Sequence, residues 1–195
     1  MRYVALGDSY TIGTSVSAAD SWPSRLAARI PQLELVANLG VNGYTSRDVI
    51  EEELPAIPNL RPEFATLLIG VNDVVQGVPE ATYRANVERI LGDLVALLPL
   101  DRLLCVATPD HTVTPQGAAF GSPQQQRAGI ERINAMLGEG CAARGIRFVV
   151  EVFEISKAAA TNRSLVAGDG LHPSGPQYGL WVDAIAPILE DLLGV

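Results

Sequence analysis

Three short polar stretches of the chain carry the residue types that acyl transfer needs. Ser9 follows a glycine and an aspartate in a turn at residues 7–9. Asp169 precedes His172 by three residues near the other end of the chain, and Asn72 stands in a Gly-Val-Asn-Asp turn between them. A serine nucleophile requires a base, a group that orients the base and hydrogen-bond donors for the oxyanion. These side chains together therefore predict a hydrolytic site.

The choice of base is narrow, because histidine is the usual base near neutral pH and the chain has two. A carboxylate three residues before an imidazole allows one tight turn to place Asp169 against Nδ1 of His172 and leave Nε2 free. Asp110 and His111 are adjacent, and adjacent side chains point apart in an extended backbone. His172 is therefore the favoured base, and His111 is the weaker candidate, although it is also expected at the edge of the sheet that holds the site. The structural alternative is an aspartate that caps a turn beside an unused histidine.

Two turn residues are candidates for the oxyanion hole. The side-chain amide of Asn72 can donate a hydrogen bond, although asparagine also serves ordinary turns. Gly43 can present a bare backbone N–H to a substrate because it has no side chain. Both residues acquire a catalytic role only if they lie beside Ser9. Their neighbours Asp8 and Asp73 are assigned structural roles, in which they brace the site by hydrogen bonds.

The first turn also fits a second function, which is the binding of a phosphorylated ligand. Hydroxyl and backbone N–H groups at residues 9–15 could cradle an anion without catalysis, as in a non-catalytic flavodoxin-like module. That alternative leaves Asp169 and His172 without a role, whereas a hydrolase uses both. We therefore favour catalysis and keep anion binding as the alternative.

The elements that must position these residues begin with five apolar segments, each too short for a helix and followed by turn residues. We predict strands at residues 3–6, 33–39, 64–69, 103–107 and 146–153. Helices are predicted from Ser21 to Ile30, from Ser46 to Pro55, from Pro79 to Leu98, around residues 130–141, and after the turn at 168–174, with Tyr178, Trp181, Ile185, Ile188 and Leu192 buried.

Strands that alternate with helices predict a parallel sheet covered on both faces. The carboxyl ends of parallel strands share one edge, where α/β proteins bind ligands. Ser9, Gly43 and Asn72 each follow a predicted strand and are therefore expected at that edge. The loop at residues 108–123 is expected beside them, with the Asp169 turn folded over the same edge.

The composition predicts one globular domain over residues 1–195 that acts on a small molecule. A hydrophobic content of 48% and a charged content of 18% are typical of globular proteins. The net charge of -8 argues against nucleic acid or an anionic membrane as a partner. Because no long apolar run or signal peptide is seen, we expect a cytoplasmic protein without a membrane span. Cys105 and Cys141 are expected to be buried free thiols.

These motifs resemble the four sequence blocks of the SGNH hydrolases, the GDSL-type esterases and lipases. Residues 7–10 resemble the nucleophile block, with Tyr10 in place of the leucine for which the family is named. Residues 38–43 resemble the second block, 70–73 the third and 169–173 the last. The blocks occur in the family's order and extend over most of the chain.

The resemblance implies a flavodoxin-like three-layer α/β/α sandwich with a five-stranded parallel sheet, and hydrolysis of carboxylic esters without a metal or organic cofactor. It implies Ser9 as the nucleophile, His172 as the base and Asp169 as the residue that orients the base. It also implies an oxyanion hole formed by the backbone N–H groups of Ser9 and Gly43 and the side chain of Asn72. An acyltransferase or a carbohydrate deacetylase with the same site is the alternative within enzymes.

We expect the substrate to be a small-molecule ester with a short acyl chain. A long chain needs an extended apolar groove, because each buried CH₂ contributes about 0.8 kcal/mol. The segments near the predicted site offer few apolar side chains, namely Tyr44, Val74, Val75, Val113, Ala118, Ala119 and Phe120. No amphipathic lid helix is seen either, so activation at lipid surfaces is not expected.

Overall fold

The structure is a computed structural model that describes residues 1–194 of the chain. One parallel sheet contains five strands, β1 (Arg2–Gly7), β2 (Glu34–Asn38), β3 (Phe64–Leu68), β4 (Leu103–Val106) and β5 (Arg147–Val149). Their order across the sheet is β2-β1-β3-β4-β5. This is the flavodoxin-like order, in which the winding reverses between β1 and β3 and opens a crevice for ligands at their carboxyl ends. The predicted fold class is confirmed.

Helices cover both faces of the sheet. They are α1 (Ser9–Ile12), α2 (Trp22–Arg29), α3 (Ser46–Asp48), α4 (Ile57–Leu60), α5 (Val71–Val75), α6 (Glu80–Leu97), α7 (Pro123–Arg144), α8 (Glu151–Ser156) and α9 (Gly175–Leu193). Alternate residues of β1 enter opposite cores, as the two-residue period of a strand requires. Val4 and Leu6 belong to the core under α6 and α7, whereas Tyr3 and Ala5 belong to the core under α2 and α9.

The last helix buries its predicted face only in part. Tyr178, Trp181 and Ile185 are fully buried, whereas Ile188 and Leu192 are half-buried. Their place in the core is taken by Leu189, which is fully buried. Because an α-helix turns once every ~3.6 residues, the buried stripe drifts around α9 and the fixed spacing misses its far end.

The prediction of a strand over residues 146–153 is wrong in its second half, where α8 replaces it. The neighbouring strand β4 ends at Val106, and the last backbone hydrogen bond between the two segments joins Ala107 N–H to the Val149 carbonyl. Beyond that point an extended chain would have no partner for its backbone groups, which is costly in a buried place. A helix satisfies those groups internally and buries Val152 and Phe153 on one side.

The prediction that Ser46 caps a helix stopped at Pro55 is also wrong. The cap is Thr45. Its side chain accepts from the backbone N–H of Asp48, and the Asp48 carboxylate accepts from the backbone N–H of Thr45. The helical path then continues through a wide turn at Val49–Glu53, in which the N–H of Leu54 bonds to the carbonyl of Val49. Pro55 stands in the first positions of the next turn, where a missing N–H leaves no helical bond unmade, so the path continues to Leu60.

The two cysteines are free and buried, as predicted, with Cys105 on β4 and Cys141 on α7. Both belong to the core on the α6 and α7 side of the sheet. No helix within residues 1–194 is long and apolar enough to cross a bilayer.

Candidate active site

A cavity of about 200 Å³ opens at the carboxyl edge of the sheet. It is lined by Ser9, Tyr10, Asn42, Gly43, Val71, Asn72, Val75, His111, Phe120, Leu171 and His172. Ser9, Gly43 and Asn72 follow β1, β2 and β3, so the crevice of the parallel sheet brings these three predicted residues together with His172. Asp169 is not in the wall of the cavity and lies behind the imidazole.

The backbone around Ser9 is shaped by the close approach of β1 and β3. Gly7 has a φ of 150°, and a side chain there would place its Cβ 2.2 Å from the carbonyl oxygen of Leu68. Only glycine fits at that position. Ser9 then begins α1, where its N–H has no helical partner, and the Asp8 carboxylate accepts from the next N–H, that of Tyr10, at 2.9 Å. The Ser9 N–H is therefore free to face a ligand.

Asp169 and His172 form a tight turn that joins their side chains. His172 Nδ1 lies 2.6 Å from Asp169 Oδ2, while Asp169 Oδ1 accepts from the N–H groups of Leu171 at 2.8 Å and His172 at 3.0 Å. Oδ2 also accepts from the hydroxyl of Ser15 at 2.6 Å. Partial burial raises the pKa of Asp169, but the hydrogen bonds from Ser15, Leu171 and His172 outweigh it and hold the pKa well below its usual range. Asp169 is therefore an anion at neutral pH.

The imidazole of His172 packs against the ring of Tyr10 with 5.6 Å between ring centroids. Within residues 1–194 no hydrogen bond joins His172 to Ser9, although both line the cavity. Catalytic hydrogen bonds are often long in enzymes without substrate and shorten in the reacting complex, so this geometry is compatible with proton transfer.

Asn72 and Gly43 present donors to the same cavity. One hydrogen of the Asn72 amide is given to the carbonyl of Tyr44 at 2.8 Å, which fixes the amide plane and leaves its second hydrogen available. Gly43 has a φ of 84°, a left-handed conformation that favours glycine, and open space surrounds the position of a Cβ. Its N–H bonds to no other group within residues 1–194, and Gln76 holds its carbonyl at 3.2 Å.

The second histidine lies in the same cavity wall without a carboxylate partner. His111 is 3% exposed, packs edge-on against Phe120, and makes no side-chain hydrogen bond within residues 1–194. Its neighbour Asp110 turns away, as predicted, to a 2.6 Å ion pair with Arg127. Burial lowers the pKa of His111, and the proximity of His172 lowers it further against the opposing effect of Asp110. Its place in the wall agrees with the position expected for the loop at residues 108–123, at the same edge as Ser9.

Three carboxyl groups, those of Glu53, Asp8 and Asp73, are buried near the Ser9 turn and hydrogen-bond to backbone N–H groups around it. Glu53 is 2% exposed and accepts the N–H of Gly7 at 2.9 Å. Burial raises the pKa of Glu53 to about 9 and that of Asp8 to about 7, and it also raises the pKa of Asp73. Asp73 accepts the N–H and hydroxyl of Ser46 at 2.9 and 2.6 Å. Sequence analysis did not identify Glu53, because a run of three glutamates is typical of an exposed helix face.

The raised pKa of Glu53 has a consequence for stability that a single substitution tests. Between pH 4.5, the ordinary pKa, and about 9, the folded chain keeps a proton that the unfolded chain has lost. This group therefore lowers the free energy of unfolding by up to about 1.4 kcal/mol per unit of rising pH. Glu53→Gln keeps an acceptor for Gly7 and cannot ionise, so it should gain stability relative to the native chain from pH 5 to pH 9.

Urea unfolding of Glu53→Gln at pH 5, 7 and 9 measures this gain directly. The matched control is Glu52→Gln, which removes an exposed carboxylate of the same wide turn. Its difference from the native chain should stay nearly constant with pH. A constant difference for Glu53→Gln as well would show that the Glu53 carboxyl is not protonated in the folded state.

With this geometry established, the comparisons with known proteins are informative. The model of the GDSL-like Lipase/Acylhydrolase family matches residues 5–180. No curated protein sequence matches the chain. Among solved structures, the lipase/acylhydrolase from Enterococcus faecalis is 19% identical with a TM-score of 0.78, and the match covers 97% of this chain and 95% of that one.

Two further solved structures have the same fold. One is a catalytic mutant of Axe2, an acetylxylan esterase from Geobacillus stearothermophilus, at 16% identity and a TM-score of 0.75 over 96% of this chain and 93% of that one. The other is a member of the lipolytic protein G-D-S-L family from Veillonella parvula DSM 2008, at 16% identity and a TM-score of 0.74 over 96% and 97%. At these identities the likeness concerns the fold.

Proposed function

Since the chain belongs to the GDSL-like Lipase/Acylhydrolase family and is a serine ester hydrolase, we propose that it cleaves short-acyl esters with Ser9 as nucleophile, His172 as base and Asp169 as the residue that orients the base. The observation that carries the proposal is the 2.6 Å contact of His172 Nδ1 with Asp169 Oδ2, on an imidazole that lines the same cavity as Ser9. The carboxylate keeps the proton on Nδ1, so Nε2 is the free base.

In the first half of the reaction, Ser9 Oγ attacks the acyl carbon of the ester while His172 Nε2 takes the hydroxyl proton. The carbonyl oxygen becomes an oxyanion, which accepts from the N–H groups of Ser9 and Gly43 and from the Asn72 amide. Asp169 stabilises the imidazolium that forms. The imidazolium then gives its proton to the leaving alcohol, the bond between the acyl carbon and the alcohol oxygen breaks, and an acyl-serine remains.

In the second half, water replaces the alcohol. His172 removes a proton from the water as its oxygen attacks the acyl carbon, and the same oxyanion donors stabilise the second tetrahedral intermediate. Collapse of that intermediate returns the proton to Ser9 Oγ and releases the carboxylic acid. An alcohol that outcompetes water would make the same site an acyltransferase.

The cavity supports a short acyl chain. Its volume of about 200 Å³ lies below the ~300 Å³ at which pockets for drug-sized ligands begin. Val75 and Phe120 are in its wall with Val71 and Leu171, whereas the other apolar residues considered from the sequence, Tyr44, Val74, Val113, Ala118 and Ala119, are not among its lining residues.

A series of p-nitrophenyl esters with two to sixteen acyl carbons tests the proposal. We expect kcat/KM, measured below the aggregation limit of each ester, to be highest at two to four carbons and to fall steadily beyond. Ser9→Ala supplies the background rate for every ester. A maximum at ten carbons or more would contradict the short pocket. Acetylated xylo-oligosaccharides belong in the same panel, because one structural neighbour is an acetylxylan esterase.

A further inference from the structure

Ser15 stands out because its backbone is strained and its side chain reaches the site. It has a φ of 68°, and within residues 1–194 Arg61 is the one other non-glycine residue with a positive φ. Such a conformation is costly for a side chain with a Cβ and persists where surrounding contacts hold it. The Ser15 hydroxyl donates to Asp169 Oδ2 at 2.6 Å, across 154 positions of sequence.

We propose that Ser15 is a positioning residue for the reaction, which holds the Asp169 carboxylate in the orientation that aligns His172. The inference rests on the proposed function, in which Asp169 and His172 activate Ser9. Ser15 does not line the cavity and need not touch the substrate.

The hydrogen bonds of Asp169 explain why one hydroxyl can matter. Its Oδ1 accepts two backbone N–H groups of its own turn, those of Leu171 and His172, and these fix one end of the carboxylate. Its Oδ2 accepts His172 Nδ1 and the Ser15 hydroxyl, each at 2.6 Å. The Ser15 bond is the one contact in this set that comes from outside the 169–172 turn. It therefore ties that turn to the segment that carries Ser9.

Two effects follow from removal of the hydroxyl. Without the outside contact the carboxylate has no hydrogen bond to the Ser9 segment, and the packing of His172 on Tyr10 alone holds the pair there less tightly, so fewer enzyme molecules are aligned for proton transfer. In addition, Oδ2 keeps one donor instead of two, so its negative charge interacts more strongly with the imidazolium of His172. The first effect lowers kcat, and the second moves the rise of the pH–rate profile to higher pH.

The pH readout has to be a comparison between variants, because burial raises the pKa of Asp8, the neighbour of Ser9, to about 7, and the Ser15 substitutions leave that carboxyl in place. Tyr10 and Tyr178 interact with Asp169, and burial raises the pKa of both phenols well above their ordinary value. Burial lowers the pKa of His111, the other imidazole near His172. Because Asp8 is present in the native chain and in both Ser15 variants, the difference between their profiles reports on the Asp169 and His172 pair.

Two substitutions separate the hydroxyl from the backbone strain. Ser15→Ala removes the hydroxyl and keeps a side chain in the left-handed region, whereas Ser15→Gly removes the hydroxyl and relieves the strain. Both should lower kcat about tenfold with KM changed less than twofold, and both should move the midpoint of the pH–rate profile upward by about 0.3 to 0.5 units. Ser15→Gly should nevertheless unfold at a higher temperature than Ser15→Ala.

The matched control is Ser17→Ala, which removes another exposed hydroxyl bonded to an aspartate, at 2.7 Å from Asp20, away from the cavity. It should keep the native kcat and pH profile. The inference is overturned if the two Ser15 variants keep the native kcat and profile, or if they lose activity only in proportion to unfolding with an unmoved midpoint. Failure of the proposed function has a different result, because Ser9→Ala or His172→Ala would then stay active. That result would overturn the proposed function and, with it, the role of Ser15.

Discussion

Replacement of Ser9 by alanine is expected to lower kcat for p-nitrophenyl acetate by at least ~10³-fold, the scale observed when a member of a serine triad is removed. Without the Oγ atom no acyl-serine can form, and only the residual catalysis by the oxyanion donors of direct attack by water remains. The fold should survive, because the smaller alanine fits the buried Ser9 position and no hydrogen bond within residues 1–194 involves the Ser9 hydroxyl. Circular dichroism and thermal unfolding check that the variant is native.

A fluorophosphonate probe provides a second readout of the same prediction. The native chain should gain one adduct, and peptide mapping should place it on the peptide that contains Ser9. Ser17→Ala should be labelled like the native chain. Normal ester hydrolysis by Ser9→Ala, or an adduct on another serine, would contradict the assignment of the nucleophile.

The second large effect is expected from the two histidines, which form a natural matched pair. Both line the cavity, but only His172 has a carboxylate at 2.6 Å. His172→Ala should lower kcat by about 10³-fold, because it removes the proposed base that takes the proton of Ser9. His111→Ala should keep kcat within about tenfold, since it removes part of the wall and none of the proton transfer.

The pH dependence of the native enzyme adds an independent check on the base. Activity should rise with pH as the proposed base loses its proton and becomes able to accept the one from Ser9. Burial lowers the pKa of His111 in the native chain and so favours its neutral form. The rise of activity with pH should therefore persist in His111→Ala. If His111→Ala is the inactive variant and His172→Ala retains the rate, the two assignments must be exchanged.

The parallel sheet, and the close approach of the candidate site residues at its edge, were predictable because both depend on the order of the elements along the chain. Short apolar segments that alternate with helices give a parallel sheet, and residues that follow its strands meet at one edge. We could therefore group Ser9, Gly43 and Asn72 from chain order alone, without the positions of their side chains. The same logic fails where a strand loses its neighbour, as happens after Val149, because the pattern of apolar residues does not show where the adjacent strand ends.

The supporting residues were not predictable for a different reason. Ser15 acquires its positive φ and its partner Asp169 from contacts between distant segments, and a serine in a polar turn carries no sign of either. Glu53 is buried because the wide helical turn directs it under Gly7, whereas its sequence neighbours Glu51 and Glu52 are exposed. Tertiary packing determines the burial and the partners of Ser15 and Glu53, and these contacts cannot be read from a single sequence.

The long span of the Ser15 and Asp169 hydrogen bond has a consequence for the synthesis of the protein. At ~5–20 residues per second, a ribosome completes the Ser9 turn roughly 10 to 30 s before it reaches His172. The proposed nucleophile is thus synthesised long before the proposed base, and the contact of α9 with the Ser9 segment, in which the Tyr178 hydroxyl donates to the Tyr10 carbonyl at 3.0 Å, forms only after both are made. On the proposed mechanism, a nascent chain that lacks residues 169–172 should not hydrolyse esters, and recovered activity in a refolding experiment should report the joining of the 169–172 turn to the Ser9 segment.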